Sequence, residues 1–428
     1  MQVVQSLLLP GRISLMALTM IQAVVDRRLI VALSVVLTGS IALADTADWP
    51  HWLGPDRNGI SGQKELTWPA IGPAILWRAK IGAGFSSIVA AGNHVVAMGN
   101  KSGLETIGCY DADDGKEIWR HAYKADLVDN LHEGGPCATP AIHQGRVYTV
   151  GKEGAFLCLQ LTDGKIIWQV DLRKDLGVKL PEWGFTSSPV ILGNRVILQA
   201  GPTAAFDLST GKLLWKSTAE KPAYGTPTIF GRSGKMLLAV LNTTHLLILD
   251  AADGKELAGV TWKTSFDTNA ATPIVVGDKI FVSTGYDKGC ALYQFTGDQL
   301  NPIYKNKTMR NHMNASILLE GHLYGFDGNS HRSELVDLIC MDMATGTANW
   351  RQNGLGCGSL LIAAGKLVIL TDEGTLVLAE AAAAGYKELG RIRVLTGRCW
   401  TMPALSRGRL YCRNADGDLV CVDMQNKK

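Results

Sequence analysis

A glycine in a tight turn, followed four residues later by a tryptophan, recurs along this chain at a nearly constant spacing. The pattern stands at Asp114-Gly115-Lys116 with Trp119, Asp163-Gly164-Lys165 with Trp168, Thr210-Gly211-Lys212 with Trp215, and Thr345-Gly346-Thr347 with Trp350. Weaker copies fill the gaps at Asp253-Gly254-Lys255, at Thr296-Gly297-Asp298 with Tyr304 displaced, and at Ala384-Gly385 with Leu389. Gly115 to Gly385 spans 270 residues in six steps, a period of about 45.

Within one period the chain reads as four short strands separated by turns. Ser188-Pro189-Val190-Ile191-Leu192 leads through Gly193-Asn194 to Arg195–Ala200, then Ala204–Leu208, then the Thr-Gly-Lys turn and Leu213-Leu214-Trp215. Four antiparallel strands per repeat make one propeller blade. Repeated hairpins in a sandwich would explain the turns but not an aromatic fixed at one point of the period. The fold class expected is therefore all-β, a propeller of four-stranded antiparallel blades.

Inner strands begin near Ser87, Thr139, Ser188, Thr226, Thr272, Ala315, Ser359 and Met402, which makes eight blades. The last blade has strands around Pro403, Tyr411 and Val420 and lacks a fourth. Gly72-Pro73-Ala74-Ile75-Leu76-Trp77 carries the missing pattern at the other end of the chain. It is expected to complete blade eight, so that the ring closes without a free sheet edge. Trp77, Trp119, Trp168, Trp215 and Trp350 then sit on outermost strands, where an indole buries apolar area against the next blade. These five are read as blade-docking residues.

The N-terminus reads as an address. Arg27-Arg28 precede an apolar run from Leu29 to Ala44 that closes with Ala42-Leu43-Ala44, the order of a secretory signal cut after Ala44. The run is shorter than the roughly 20 residues of a spanning helix, and no second long apolar segment follows. Met16 and Met20 are alternative starts. The division expected is a signal peptide at 1–44, an N-terminal segment at 45–72 packing on the propeller, the propeller at 73–424 and a tail at 425–428. A periplasmic or secreted monomer without a membrane span follows. With 42 Lys plus Arg against 39 Asp plus Glu, the formal charge of +3 gives no footprint for nucleic acid or anionic lipid.

Nine cysteines are an odd number for an oxidising compartment. Cys109, Cys158, Cys340 and Cys421 share one repeat position on third strands, where a small apolar side chain fits between blades. A two-residue turn at Asp416-Gly417 would place Cys412 opposite Cys421, in position either for a cross-strand disulfide or for two thiols packed side by side. Metal and redox motifs are absent from the sequence: there is no Cys-x-x-Cys, no His-Glu-x-x-His and no EF-hand loop. No catalytic residue and no metal ligand is assigned.

Ala205-Phe206-Asp207-Leu208-Ser209-Thr210-Gly211-Lys212-Leu213-Leu214-Trp215 resembles the repeat of the pyrroloquinoline quinone (PQQ) enzymes, Ala-x-Asp-x-x-Thr-Gly-x-x-x-Trp. The segment Asp48-Trp49-Pro50-His51-Trp52-Leu53-Gly54-Pro55-Asp56-Arg57-Asn58-Gly59 looks like the start of bacterial secreted PQQ-binding-like β-propeller repeat proteins, which are BamB-like. The resemblance covers residues 73 to 424. Quinoprotein dehydrogenases of this kind carry two adjacent cysteines over the quinone and calcium held by carboxylates and amides. This chain has no Cys-Cys pair and no assignable calcium ligands, so no cofactor is expected, and PQQ with calcium stands only as the alternative. It also lacks the cysteine that anchors the lipid of BamB.

Loops leading into the inner strands converge on one end of a propeller channel. Here they supply Glu133, Trp183, Tyr224, Asn269, Arg310, His312, Asn314 and Trp400. Trp183, Tyr224 and Trp400 lie outside the repeat position of the docking tryptophans, while Glu133, Arg310 and His312 suit a polar ligand. The alternative is that these side chains fill the channel and bond one another. The function expected is a non-catalytic exported scaffold that binds a protein or glycan in the cell envelope through these loops. Two other readings stand beside it, a small-molecule or sugar binder and a PQQ-dependent oxidoreductase.

Overall fold

A computed structural model describes residues 47–425 except 219, 220 and 222. The signal peptide and the last three tail residues, expected from the sequence, lie outside that range. Eight four-stranded antiparallel sheets account for almost all regular structure. Blades 1 to 7 are continuous in sequence, at 89–124, 141–171, 190–216, 228–261, 274–306, 317–352 and 359–393. Blade 8 combines the strands of 404–423 with Ile75–Lys80, which pairs antiparallel with Asp418–Asp423, Trp77 opposite Cys421. The eight blades and the closure at Trp77 are as expected from the repeat.

The recurring glycine and aromatic form a contact between neighbouring blades. Trp119 of blade 1 lies over Gly164 in the turn of blade 2, where a Cβ would fall 2.5 Å from Cε3 of the indole. Its Nε1 donates to the Leu161 carbonyl at 2.7 Å. Trp77 repeats this on Gly115 and Ala112, and Trp168 on Gly211 and Leu208, while Trp215 covers Gly254. Trp350 donates to the Ala382 carbonyl, and Tyr304 takes the tryptophan's place over Gly346. Two constraints therefore hold these glycines: the positive φ of the turn, +71° at Gly164, and the ring lying against it. On the third strand the residue opposite the indole is small, with Cys109 facing Trp119, Cys158 facing Trp168 and Cys340 facing Trp350. Blade 7 has no aromatic of its own there, and Trp68 from the N-terminal segment lies over Gly390 instead.

Inner strands are joined through Ser and Thr hydroxyls. The Ser87 N–H donates to Thr139 Oγ1 of the next blade at 3.2 Å, Thr139 N–H to Ser188 Oγ at 2.9 Å, and Ser188 N–H to Thr226 Oγ1 at 3.0 Å. The recurring Ser-Pro and Thr-Pro pairs follow from this. The innermost strand has no ladder partner on its channel side, so proline's missing N–H costs nothing, and the residue before it bonds the neighbouring blade.

Residues 48–63 cross the other end of the ring. Trp49 pairs with Ala90, the Pro50 carbonyl accepts from Ile142, Arg57 Nη2 reaches the Ile191 carbonyl at 3.2 Å and Trp52 Nε1 reaches Thr272 Oγ1 at 3.0 Å. The segment then bonds Ile362 from Gly59 and Ser61, and Gln63 Oε1 accepts from Gly408 at 2.8 Å. Trp49, His51 and Leu53 are buried by these contacts. The segment forms a floor under blades 1, 2, 3, 5, 7 and 8.

The register of blade 8 corrects one expectation. The hairpin there is a three-residue loop, with Asn414 and Asp418 bonded across it and Ala415, Asp416 and Gly417 between them. Tyr411 therefore faces Cys421 and Cys412 faces Val420. A slip of one residue turns a side chain to the opposite face of the sheet. Cys412 and Cys421 are thus not the directly opposed pair of the two-residue count, and both are free thiols.

Candidate functional site

Opposite the floor, the loops that lead into the inner strands meet the hairpins between second and third strands. All eight candidate residues lie in this rim, linked in a nearly continuous circuit. Glu133 Oε2 accepts from Arg398 Nη1 at 2.8 Å, and the same guanidinium covers Trp400 at 4.3 Å from the ring centre. Trp400 stacks on Phe85 with centroids 5.7 Å apart, and Phe85 meets the edge of His132 at 5.2 Å. From the same loop, Asn130 Nδ2 donates to Glu182 Oε1 at 3.1 Å, next to Trp183.

Trp183 packs edge-on to Tyr224, centroids 5.5 Å apart, and the Tyr224 N–H donates to the Asn269 carbonyl. Beyond Asn269, Phe266 touches Tyr286 at 4.8 Å, and Tyr286 touches His312 at 4.9 Å. Asn314 closes the circuit, with Nδ2 donating to the Gly358 and Trp400 carbonyls at 3.3 and 3.1 Å.

These residues divide by what their polar atoms already do. Asn269 is fully buried; its Nδ2 lies on the carbonyls of Asn242, Thr243 and Trp262, and its Oδ1 accepts from Thr284. Arg310 places Nε and Nη2 on the two oxygens of Asp327 at 2.7 and 3.0 Å, and Arg351 holds the same buried carboxylate at 2.9 Å. The Asn314 amide spans two loops. These three side chains staple the rim, and none has its polar group turned to a ligand.

Glu133, Trp183, Tyr224, His312 and Trp400 keep partly exposed surface at the mouth. His312 accepts from the Ser330 N–H on Nδ1 at 3.1 Å, which leaves its proton on Nε2, 3.0 Å from Tyr286 Oη. Burial, and then His331, lowers its pKa to about 4, so the ring is neutral at physiological pH. His132 is likewise lowered to about 4, by burial first and then Lys152 and Arg398. The mouth therefore offers aromatic faces and neutral imidazoles.

Sequence reasoning missed Phe85, Phe266, Tyr286 and His331 of this rim. Tyr286 and His331 come from second-to-third-strand hairpins, which share an end of the propeller with the inner-strand loops; that shared end was the available signal. Three of the most exposed apolar side chains also surround the mouth: Leu131 at 85%, Phe266 at 59% and Leu335 at 56%. Among the described residues, no helix is long and apolar enough to cross a membrane.

The family model described as outer membrane protein assembly factor BamB matches residues 70–226 and 103–352. The chain belongs to this family of PQQ-like repeat propellers. The BamB structure from Moraxella catarrhalis superposes with a TM-score of 0.58 at 15% identity, over 82% of this chain and 99% of that one. The quinohemoprotein alcohol dehydrogenase of Comamonas testosteroni gives 0.65 at 13% identity, over 90% and 82%. A computationally designed protein, Ika8, gives 0.59 at 12% identity, over 82% and 100%. At these identities the likeness is one of fold. No curated protein matches the sequence.

Proposed function

We propose that this protein is an exported, non-catalytic scaffold of the cell envelope that holds a protein partner against the mouth of its propeller. The observation that carries the reading is the apolar rim. Leu131, Phe266 and Leu335 are exposed in the loops and hairpins of the end that carries partly exposed Trp183, Tyr224 and Trp400, and apolar side chains exposed at one end are characteristic of protein contacts. The family's description as an outer-membrane assembly factor supports a protein partner over a glycan and an envelope location. The signal read at residues 29–44 agrees with export.

The quinoprotein neighbours motivate a second reading, an oxidoreductase using PQQ and calcium, and the residues here do not suit it. No three His, Cys, Asp or Glu side chains converge as a metal site among the described residues. Asp327, a buried carboxylate at the mouth end, is held by Arg310 and Arg351. The sequence has no adjacent cysteine pair to cover a quinone.

The test is a Trp183→Ala/Trp400→Ala double variant of residues 45–428, used as bait in detergent-solubilised envelope from the cell that makes it. Wild type is expected to retain a partner that the variant loses by at least tenfold, with melting temperatures within about 2 °C, since neither indole docks blades. An equal loss of stability would show the two indoles to be structural plugs. A rise in melting temperature with PQQ and calcium would favour the oxidoreductase.

A further inference from the structure

We propose that Cys137 and Lys152 are a peroxide-responsive pair that closes into a covalent sulfur–nitrogen crosslink beside the mouth. Cys137 sits in the loop leading into blade 2, the loop that also carries His132 and Glu133. Lys152 sits in the hairpin between the second and third strands of the same blade. Its residue is fully buried, yet the acceptor its ammonium meets is no carboxylate: Nζ lies 3.2 Å from Cys137 Sγ. Buried ammonium groups are ordinarily matched by an anion, and a cation on sulfur is the setting in which a cysteine reacts as a nucleophile.

The pair is held in place from both sides. The Lys152 N–H donates to Glu105 Oε2 at 3.1 Å, and the other oxygen of that buried carboxyl is bonded by Tyr123 Oη. Gly184 leaves room for the lysine stem, since a Cβ there would lie 2.6 Å from Lys152 Cδ. Arg413, fully buried, adds a second cation at this end of blade 8, its guanidinium on the carbonyls of Gly82, Ser86 and Met98. Of the nine cysteines Cys137 alone is not buried, which makes it the one an oxidant from solvent would meet first.

The chemistry balances with one equivalent of hydrogen peroxide. Sγ attacks a peroxide oxygen; the S–O bond forms, the O–O bond breaks and water leaves, which gives a sulfenic acid at Cys137. Lys152 Nζ, after releasing a proton to water at the mouth, attacks the sulfur. The S–N bond forms as S–O breaks, and the departing hydroxide takes a second nitrogen proton as water. Sulfur is oxidised by two electrons and the peroxide is reduced to water. A thiol reductant cleaves the bond and restores both side chains. The crosslink pins the loop of His132 and Glu133 to its hairpin, and its chemistry is independent of what the mouth binds.

The test is peptide mass spectrometry of the isolated full-length protein after exposure to stoichiometric hydrogen peroxide. The expected product joins the peptides of Cys137 and Lys152, two hydrogens lighter than their sum, and disappears on treatment with dithiothreitol. Lys152→Met should lack it and leave Cys137 as a sulfenic acid that dimedone traps, while Cys137→Ser should lack it with Lys152 unmodified. Should Lys152→Met not fold, the Cys137→Ser arm and wild type decide alone. Consumption of Cys137 in folded wild type without a linked peptide, or no reaction at Cys137, would overturn the proposal.

Discussion

Replacing Trp119 by alanine should destabilise the propeller by about 3–5 kcal/mol, the usual cost of removing a buried indole. Three losses coincide at that position. The ring is 8% exposed, it covers Gly164 of the next blade, and its Nε1–H bonds the Leu161 carbonyl at 2.7 Å. Gly164 has no side chain that can move into the gap, so the cavity persists and its cost adds to the transfer term. Measured by urea unfolding, this is a large part of the roughly 5–15 kcal/mol by which folded domains are stable. Trp119→Phe should recover part of the packing and leave the Leu161 carbonyl without its donor, falling between the two. A loss below about 1 kcal/mol in the alanine variant would show that the recurring indole is not what joins the blades.

The second large effect concerns closure. A chain starting at residue 81 is expected not to fold into a soluble monomer, whereas one starting at residue 45 folds. The shorter chain loses Ile75–Lys80, so Asp418–Asp423 presents an unpaired edge, and it loses Trp77 from its place over Gly115. Exposed strand edges pair with other chains. A start at residue 68 separates the two contributions. It keeps the closing strand and Trp68 over Gly390 but removes the floor with Trp49 and Leu53, and should fold with reduced stability. Size-exclusion chromatography and thermal melts of the three chains measure this. A monomeric, cooperatively melting chain from residue 81 would contradict the closure.

The repeat was legible because one contact enforces two residue types at a fixed spacing. The glycine must turn with positive φ and also lie beneath an indole, and each blade repeats both demands. Trp183, Tyr224 and Trp400 stood out for the complementary reason that they are aromatic outside that position. Arg310 was harder to place. Its partner Asp327 is seventeen residues away, at the end of the second strand that follows, and nothing in the loop Arg310–Asn314 announces a buried carboxylate there. Asn269 was opaque in the same way, since its bonds go to main-chain carbonyls that carry no sequence signature.

The misplacement of Cys412 against Cys421 shows how little local error a strand tolerates. A loop of three residues in place of two left every element correct and sent one thiol to the other face. The floor made by residues 48–63 follows no period, and its contacts reach six blades, so the motif at Asp48–Gly59 marked the segment without revealing what it covers.

The central claim, that the mouth holds a protein partner, is tested most directly by site-specific photocrosslinking in living cells. A photoreactive residue would replace Trp183 or Leu131 at the rim, and in separate chains Leu214 on an exposed outer strand. A discrete protein adduct is expected from the rim positions and none from Leu214. Adducts confined to the outer strand, or none from the rim while the protein is folded and exported, would contradict it.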